Sequence, residues 1–235
     1  MQLFYNPDIH IDLKTLQFNK EESRHIVKVL RKTAGDTLHI TDGKGTLFKV
    51  EILQAHDKKC LVSVKASEKK DKAWNYHLHI AIAPTKMNDR FEWFLEKATE
   101  IGIDEITPLI CDHSERRQVK IERLEKVIVS AMKQSLKFQK PVLNKALSYT
   151  EFIAKKEWDL GLIAHCEDGD KKNLKTYFPN QKRILILIGP EGDFSPMEIE
   201  AALKSDINPV TLGENRLRTE TAGVVACTTV SLLNE

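Results

Sequence analysis

One short stretch constrains the fold of this chain more than any other. Five consecutive apolar residues, 184–188, end abruptly at GPEG (residues 189–192), and SPME (residues 195–198) follows at once. An apolar run of this length, bounded by glycine and proline, predicts a buried strand. Ser195 and Glu198 have the spacing of a capping box, with proline at the first helical position, so a helix is predicted to begin there. A strand that turns directly into a helix is typical of α/β proteins.

The same alternation continues through the second part of the chain. Strands are predicted at residues 77–83, 103–110, 160–164, 184–188 and 209–212, and helices at 89–101, 121–136, from 196 and from about 220. Thr219 or Thr221 can cap the last of these helices, with Glu220 near its positive end. Alternating strands and helices predict a parallel sheet that is covered by helices on both faces. Ligands of such sheets bind beyond the carboxyl ends of the strands.

The first part of the chain has a different pattern. Short β-like pieces at 37–41, 46–53 and 60–64 are separated by turn signals, one helix is predicted at 21–30, and the polar stretch 67–72 resembles a linker. We therefore expect a small β-rich or barrel-like domain at residues 1–72 and an α/β domain at residues 73–235.

Composition excludes several classes of protein. A hydrophobic content of 41% over 235 residues is enough for a proper core. The apolar runs fall far short of the roughly 20 residues that cross a bilayer, and the first residues lack the pattern of a secretory signal, so a cytoplasmic protein without a membrane partner is expected. The four cysteines are scattered without CxxC pairing, and His77 and His79 have no evident third ligand, so no metal is expected.

The charge distribution indicates a polyanion partner for the first part. Residues 1–73 carry 14 Lys/Arg against 10 Asp/Glu, although the whole chain has a net charge of only +2. The predicted helix at 21–30 and the residues after it present a basic face that could bind RNA phosphates, formed by Arg24, His25, Lys28, Arg31 and Lys32. A merely solvated helix face remains the alternative.

The glycines of the opening stretch do not match the common nucleotide loops. Neither GxGxxG nor GxxxxGK[ST] occurs in the chain. This disfavours NAD, FAD and ATP as ligands, and it also disfavours the Rossmann-type methyltransferases.

Two stretches resemble motifs of a different methyltransferase group. IGPEGDFSPMEIE (188–200) and LGENRLRTETAGVVA (212–226) are similar to the second and third motifs of the SPOUT superfamily of RNA methyltransferases. The form LRTETA resembles one branch, the ribosomal RNA small subunit methyltransferase E family. HIVKVLRKTAGD (25–36) is similar to that family's PUA-like RNA-binding domain, and residues 86–117 are similar to its early methyltransferase segment.

The resemblance implies a fold that general topology rules would not propose. It implies a SPOUT-type α/β knot, in which the C-terminal segment threads a loop to form a trefoil, preceded by a small β-barrel PUA-like domain. It also implies S-adenosylmethionine (SAM) as cofactor, held in a bent conformation near the loops around 164, 189 and 213. Carried over by position, the SAM neighbours are Leu187, Gly189, Pro190, Leu212, Gly213, Leu217, Arg218, Thr219 and Ala222.

The implied reaction is methylation of uridine N3 in small-subunit (16S) ribosomal RNA, free or within the 30S subunit. Neutral uracil N3 carries a proton, which the enzyme must help to remove. Arg116 and Arg218 are candidates for stabilising the anion and for contacting RNA phosphates, and Arg117 lies in a segment expected to face RNA or a partner subunit. Glu191 and Glu220 are candidates for the base or for orienting it, although either could instead cap a helix start.

Some features of the chain depart from the family pattern or leave alternatives open. Asp193 stands where glycine is common, and Asn215-Arg216 replaces an arginine followed by an aliphatic residue. Aspartate and asparagine tolerate unusual backbone angles, so the turns are expected to survive. The superfamily implies a homodimer. The apolar face of the last helix supports it, because no further element of the chain is expected to cover Val224, Val225, Val230 and Leu232. Alternatives are a SPOUT enzyme for another rRNA or tRNA position and a noncatalytic RNA-binding or ribosome-assembly protein.

Overall fold

The computed structural model describes residues 1–177 and 183–234. Within these residues, no helix combines the length and the apolar character that crossing a membrane requires. The chain forms two compact units, and the first includes a short segment from far along the sequence. Unit 1 comprises Met1–Ala73 and Met132–Lys140, and unit 2 comprises Trp74–Ala131 and Pro141–Glu235.

Unit 1 is built on a five-stranded mixed sheet. Its first elements are β1 (Leu3–Tyr5), β2 (Thr15–Gln17), α1 (Lys20–Arg24), a π-helical turn (His25–Val29), β3 (Thr37–Thr41), β4 (Thr46–Gln54) and β5 (Leu61–Lys69). The strand order is β1-β3-β4-β5-β2, with β1 parallel to β3 and the other neighbours antiparallel. Phe48, Val50 and Ile52 alternate along β4 with their side chains in the core. The β-rich prediction for this part of the chain is confirmed.

Two local predictions for unit 1 need correction. The helix predicted at 21–30 is present, but it changes from α to π geometry at His25, where the Leu30 N–H bonds to the His25 carbonyl. The linker predicted at 67–72 is wrong for its first half, because Ser67 pairs with Phe48 and β5 continues to Lys69. Antiparallel pairing, which the local sequence does not show, extends this polar strand.

A segment from the middle of the chain completes unit 1. The Phe138 carbonyl accepts hydrogen bonds from the Thr41 hydroxyl (3.0 Å) and from the Gly45 N–H (2.9 Å). The Gln139 side chain donates to the Lys70 carbonyl at 2.8 Å. These bonds fasten residues 138–139 to the turn between β3 and β4 and to the end of β5.

The elements after residue 73 alternate as predicted. They are β6 (His77–Ile82), α2 (Asn88–Ile101), β7 (Glu105–Ile110), α3 (Ile121–Gln134), β8 (Val142–Leu143), β9 (Leu147–Ser148), α4 (Tyr149–Ile153), β10 (Leu160–Ala164), β11 (Lys172–Asn173), a 3-10 turn (Leu174–Thr176), β12 (Arg183–Ile188), α5 (Pro196–Lys204), β13 (Ile207–Thr211) and α6 (Thr219–Leu233). Each predicted strand and helix is confirmed, with ends shifted by at most two residues. The short elements β8, β9, β11 and α4 had no prediction. Strands of two residues are too short for a pattern to repeat, and α4 is a helix of just over one turn.

The sheet of unit 2 is parallel throughout the described residues. Its order is β11-β13-β10-β12-β6-β7-β8, and β9 also pairs with β7. Side chains of β6 alternate between its two faces: Leu78, Ile80 and Ile82 pack with α2, α3 and α6, while Ala81 packs with α4 and α5. The parallel sheet with helices on both faces is therefore confirmed.

The last helix packs more closely than its sequence indicated. A Cβ atom on Gly223 would lie 2.6 Å from the Phe94 ring and 2.9 Å from Ile82, so α6 needs glycine to lie against α2 and β6. Val230 is buried and Val224 packs against the same core. The expectation that this whole apolar face lacks a partner within the chain is wrong, although Leu232 is exposed.

Candidate functional site

The carboxyl ends of the parallel strands lie along one edge of the sheet in unit 2. Five loops leave the strands β6, β7, β10, β12 and β13 at this edge, namely residues 83–87, 111–120, 165–171, 189–195 and 212–218. Strand β10 lies between β12 and β13, so the loops after β12 and β13 flank the loop after β10. This edge is the expected ligand position in an open α/β sheet, and all the predicted catalytic and SAM-binding residues lie along it.

The turn after β12 is tightly organised. The Asp193 N–H bonds to the Pro190 carbonyl at 3.0 Å, and Asp193 adopts a φ of 62°. Its carboxylate accepts the backbone N–H groups of Phe194 (2.8 Å) and Cys166 (2.6 Å). A Cβ atom on Gly189 would lie 3.0 Å from the Phe194 ring. The aspartate that departs from the family pattern thus keeps the turn intact and connects it to the loop after β10.

The predicted capping box is confirmed, and it has an additional partner. The Ser195 hydroxyl accepts the Glu198 N–H at 3.3 Å, and the Glu198 carboxylate accepts the Ser195 N–H at 2.8 Å. The second Glu198 oxygen accepts the N–H of Asp112 at 2.9 Å, and the Ser195 hydroxyl donates to the Asp112 carboxylate at 2.6 Å. The box therefore joins the turn after β12 to the loop after β7.

The turn after β13 is more open. Gly213 has a φ of 137°, with no neighbouring atom within 4 Å of the place of a Cβ, and it exchanges hydrogen bonds with Thr211. Helix α6 starts with Arg218 as N-cap and without a side-chain cap, so the predicted cap by Thr219 or Thr221 is wrong. Thr219 is buried and donates to the Gly189 carbonyl at 3.0 Å instead. This hydrogen bond joins the two motif turns.

The four candidate catalytic residues differ in their surroundings. Arg116 donates to the carbonyl groups of Thr85 (3.0 Å) and Lys86, and Glu191 accepts the Lys86 N–H at 3.0 Å. Both side chains thus hold backbone groups of the loop after β6. The other two candidates, Arg218 and Glu220, lie at the start of α6. Arg218 is exposed, whereas Glu220, which lies in the first turn as predicted, has a buried side chain.

The predicted SAM neighbours lie along the strand ends and the first turn of α6. Leu187 is fully buried in β12, between β10 and β6, and its side chain packs in the core. Thr219 and Gly189 are brought together by their hydrogen bond. The remaining predicted neighbours, which line the same edge, are Pro190, Leu212, Gly213, Leu217, Arg218 and Ala222.

The predicted RNA-binding residues are mostly exposed. In unit 1, Arg24, Lys28 and Arg31 are exposed, and Arg31 has a positive φ of 55°. His25 is half-buried with its ring centroid 6.0 Å from that of Phe4, and Lys32 is also half-buried, so these two are weaker candidates for phosphate contacts. In unit 2, Arg117 is exposed and donates to the Asp112 carbonyl at 3.0 Å.

Sequence reasoning missed three residues at this edge. His113 bonds through Nδ1 to the Gly192 carbonyl at 3.0 Å, and Arg90 lies 3.9 Å from the Glu220 carboxylate. His165 follows β10 directly; both of its ring nitrogens are buried without a hydrogen-bond partner among the described residues. Burial, with the nearby charge of Lys171, lowers the pKa of His165. Their position in the sequence could have identified two of them, because His113 and His165 are polar residues that follow predicted strands.

The two histidines considered as metal ligands lie at the opposite edge of the sheet. Each has a ring nitrogen 3.7 Å from the Glu105 carboxylate, and His79 also bonds to the Thr107 hydroxyl at 2.8 Å. Burial lowers the pKa of His79 to about 4, so its ring is neutral at pH 7. Across residues 1–177 and 183–234, no group of three or more His, Cys, Asp or Glu side chains is arranged to hold a metal ion.

Comparisons with known proteins agree with this arrangement. The RNA methyltransferase domain family matches residues 72–231, and the RNA methyltransferase PUA domain family matches residues 18–65. Ribosomal RNA small subunit methyltransferase E of Rickettsia conorii is 32% identical over 213 residues, which cover 89% of this chain and 86% of the relative.

Solved structures are similar over nearly the whole chain. A probable rRNA-methyltransferase from Porphyromonas gingivalis is 46% identical, with a TM-score of 0.92 and coverage of 100% of this chain and 98% of that chain. A Legionella pneumophila protein solved with bound SAM is 26% identical, with a TM-score of 0.87 and coverage of 98% and 96%. The parallel sheet, the joined motif turns and these similarities together show that the chain belongs to the ribosomal RNA small subunit methyltransferase E family of RNA methyltransferases.

Proposed function

We propose that this protein transfers the methyl group of SAM to N3 of a uridine in small-subunit ribosomal RNA. The hydrogen bond from Thr219 to the Gly189 carbonyl carries the proposal, because it brings the two motif turns of the methyltransferase family together at the carboxyl edge of the sheet. SAM supplies an activated methyl group. The family membership supports the rRNA substrate, while the choice of uridine N3 is the finer part of the proposal.

The residues at this edge suit a cofactor that is recognised largely by main-chain groups. Gly213 leaves open space beside the end of β13, and its positive φ disfavours any side chain. The two ring nitrogens of the half-buried His165 are shielded from solvent and have no hydrogen-bond partner among the described residues, and burial lowers the pKa of the ring, which favours its neutral form. An orphaned polar group of this kind is costly to bury unless a ligand or water satisfies it. A compact ligand with polar edges would satisfy these groups.

The start of α6 offers groups for handling the uracil proton. Glu220 is buried, with Arg90 3.9 Å away, so its carboxylate is the best-shielded candidate to accept or direct that proton. Arg218 is exposed beside it and can stabilise the negative charge that develops on the uracil ring. Glu191 already accepts a backbone N–H, which makes it the weaker candidate for the base.

RNA affinity is assigned to unit 1. Arg24, Lys28 and Arg31 are exposed cations within the region that matches the PUA domain family. Exposed arginine and lysine side chains can neutralise phosphates without reading sequence. This unit would supply affinity, while the edge of the sheet in unit 2 would supply the chemistry.

A methylation assay on unmodified substrate tests the function. Purified protein is incubated with SAM and with 30S subunits or naked 16S rRNA from a strain that lacks the modification, and the rRNA is mapped by mass spectrometry. A new methyl group on uridine N3 is the expected result. A methyl group at another atom or RNA would support a different SPOUT substrate. SAM binding by calorimetry without any transfer would support the noncatalytic alternative.

We also propose a homodimer in the cytoplasm, where ribosomal RNA is made and assembled. Leu232 on α6 and Trp93 on α2 are exposed apolar side chains on two helices that pack together. A second copy that covers these two side chains would remove their apolar surface from water. Light scattering at micromolar concentration should give twice the chain mass, and a monomer would contradict the dimer.

The trefoil knot is a further part of the proposal. Strand β13 lies on the side of β10 away from β12, whereas α6 begins at Thr219, which bonds to Gly189 after β12, and packs against α2 and β6. The segment between β13 and α6 must therefore cross the ends of β10 and β12. An experimental structure with a continuous trace through residues 165–183 tests the threading. A backbone path in which the C-terminal segment does not pass through a loop would contradict the knot.

A further inference from the structure

The capping box of α5 has a feature that helix capping alone does not require. Glu198 is nearly fully buried, and its two oxygens serve two different segments: one accepts the Ser195 N–H and the other accepts the Asp112 N–H. Asp112 in turn accepts the Ser195 hydroxyl at 2.6 Å. Three residues, one in the loop after β7 and two at the start of α5, therefore form a closed ring of hydrogen bonds, which we name the loop clamp (Asp112, Ser195 and Glu198).

A second capping box in the same chain shows what capping needs by itself. At the start of α4, the Ser148 hydroxyl accepts the Glu151 N–H, and one Glu151 oxygen accepts both the N–H (3.1 Å) and the hydroxyl (2.6 Å) of Ser148. Glu151 is exposed, and these bonds remain within one turn. The buried second link of Glu198 is thus additional to the cap.

The loop that the clamp holds carries charged side chains of the candidate site. Within residues 111–117, His113 bonds to the Gly192 carbonyl, and Arg116 bonds to the Thr85 and Lys86 carbonyls. Glu191 accepts the Lys86 N–H, which closes the connection back to the turn after β12. The loops after β6, β7 and β12 therefore form one hydrogen-bonded assembly, and the loop clamp is its buried anchor.

We propose that Glu198 and Asp112 are positioning residues that fix the loop 111–117 against the turn 189–195, so that its arginines meet the RNA at a fixed distance from the cofactor turn. This inference rests on the proposed function. It predicts that loosening the clamp impairs the reaction with RNA more than it impairs SAM binding. The reason is that two bonds of the turn 189–195 remain: the one from Asp193 to Pro190 within the turn, and the one that Gly189 accepts from Thr219 of α6.

The matched variants Glu198→Gln and Glu151→Gln separate positioning from capping. Glutamine has one acceptor oxygen, which is sufficient for the Glu151 bonds. At position 198 its NH2 group would face the N–H of either Ser195 or Asp112, so one link is lost. We expect Glu198→Gln to lower kcat for rRNA methylation about tenfold, as for one lost buried hydrogen bond, with SAM affinity changed less than about threefold. Glu151→Gln should retain kcat and SAM affinity.

Asp112, the exposed residue of the loop clamp, gives a second series of variants in which folding should be unaffected. Asp112→Ala removes the acceptor for the Ser195 hydroxyl and should lower kcat about threefold, whereas Asp112→Asn keeps an acceptor oxygen and should restore it. Unchanged kcat in both Glu198→Gln and Asp112→Ala would overturn the inference. So would a loss of SAM affinity that equals the loss in kcat, or equal losses in Glu198→Gln and Glu151→Gln. No methylation by the unsubstituted protein would instead overturn the proposed function.

Discussion

The two motif turns of the candidate site differ in how firmly they are held. In the turn after β12, residues 189–195, Asp193 and Ser195 bond to neighbouring loops. In the turn after β13, residues 213–216 are exposed, and Gly213 is held by local hydrogen bonds with Thr211. A hydrogen bond from Thr219, where α6 begins, to the Gly189 carbonyl joins the two turns.

The difference indicates a division of work between the turns. A firmly braced turn presents its backbone in one arrangement, which suits a cofactor that binds in a defined conformation. An exposed turn with few buried contacts can adjust, which suits the entry of an RNA base. Four predictions test this contrast, and they begin with the largest expected effect.

Substitution of Arg218 should affect catalysis without affecting the fold. Arg218→Ala is expected to lower kcat/KM for rRNA about 100-fold, the size of effect seen when one group that stabilises developing charge is removed. Its melting temperature should not change, because the side chain is exposed and caps nothing. Arg216→Ala, an exposed arginine in the same turn, is the matched control, and an equal loss in both variants would contradict a specific role for Arg218.

Substitution of the turn glycines should destabilise the protein for different reasons. Gly189→Ala forces a methyl group against Phe194 and should reduce the free energy of unfolding by about 2 kcal/mol. Gly213→Ala meets no neighbouring atom but must hold a φ of 137°, at a cost of about 1–3 kcal/mol. Denaturant titration measures both. Phe194→Leu should reduce the destabilisation caused by Gly189→Ala but not that caused by Gly213→Ala. If the effects of Phe194→Leu and Gly189→Ala on the free energy of unfolding are additive, the steric explanation is contradicted.

The hydrogen bond between the turns should contribute less. Thr219→Val leaves the Gly189 carbonyl without this donor and should reduce the free energy of unfolding by about 1 kcal/mol, with weaker SAM binding by calorimetry. Thr219→Ser keeps the hydroxyl and should bind normally. Thr228→Val is the control on the same helix, because the Thr228 hydroxyl donates to the Val224 carbonyl within α6. Equal SAM affinity in Thr219→Val and Thr228→Val would show that this bond does not shape the pocket.

His165, between the two turns, should give a small dependence of stability on pH. Burial lowers the pKa of its folded form below the usual value of 6.5, so its neutral form stabilises the protein above that value. This contribution is lost as the pH falls below about 6.5, because the unfolded chain then binds more protons. The decrease in melting temperature from pH 7.5 to pH 5.5 should be smaller in His165→Asn than in the unsubstituted protein. Equal decreases would contradict this role.

Local patterns were sufficient for the main elements of unit 2 but not for its loop contacts. The apolar runs and the SPME capping box predicted β12 and α5 correctly, because both depend on near neighbours in sequence. The cap of α6 was predicted wrongly, since Thr219 finds the Gly189 carbonyl, 30 residues away, as its partner. His165 and Asp112 could not be assigned to the site from local sequence, because their roles depend on burial and on contacts with residues that follow other strands.

The sequence by itself determined the main strands and helices of unit 2, their parallel sheet, the two motif turns and, through the resemblance they carry, the methyltransferase family. These features follow from periodicity, turn chemistry and capping, which act over a few residues. Only the tertiary structure decided that Arg116 and Glu191 hold a neighbouring loop, that Glu198 joins two loops, and that Phe138 completes unit 1. The physical reason is that a buried polar group bonds to whatever the fold brings within about 3 Å, however distant that partner is along the chain.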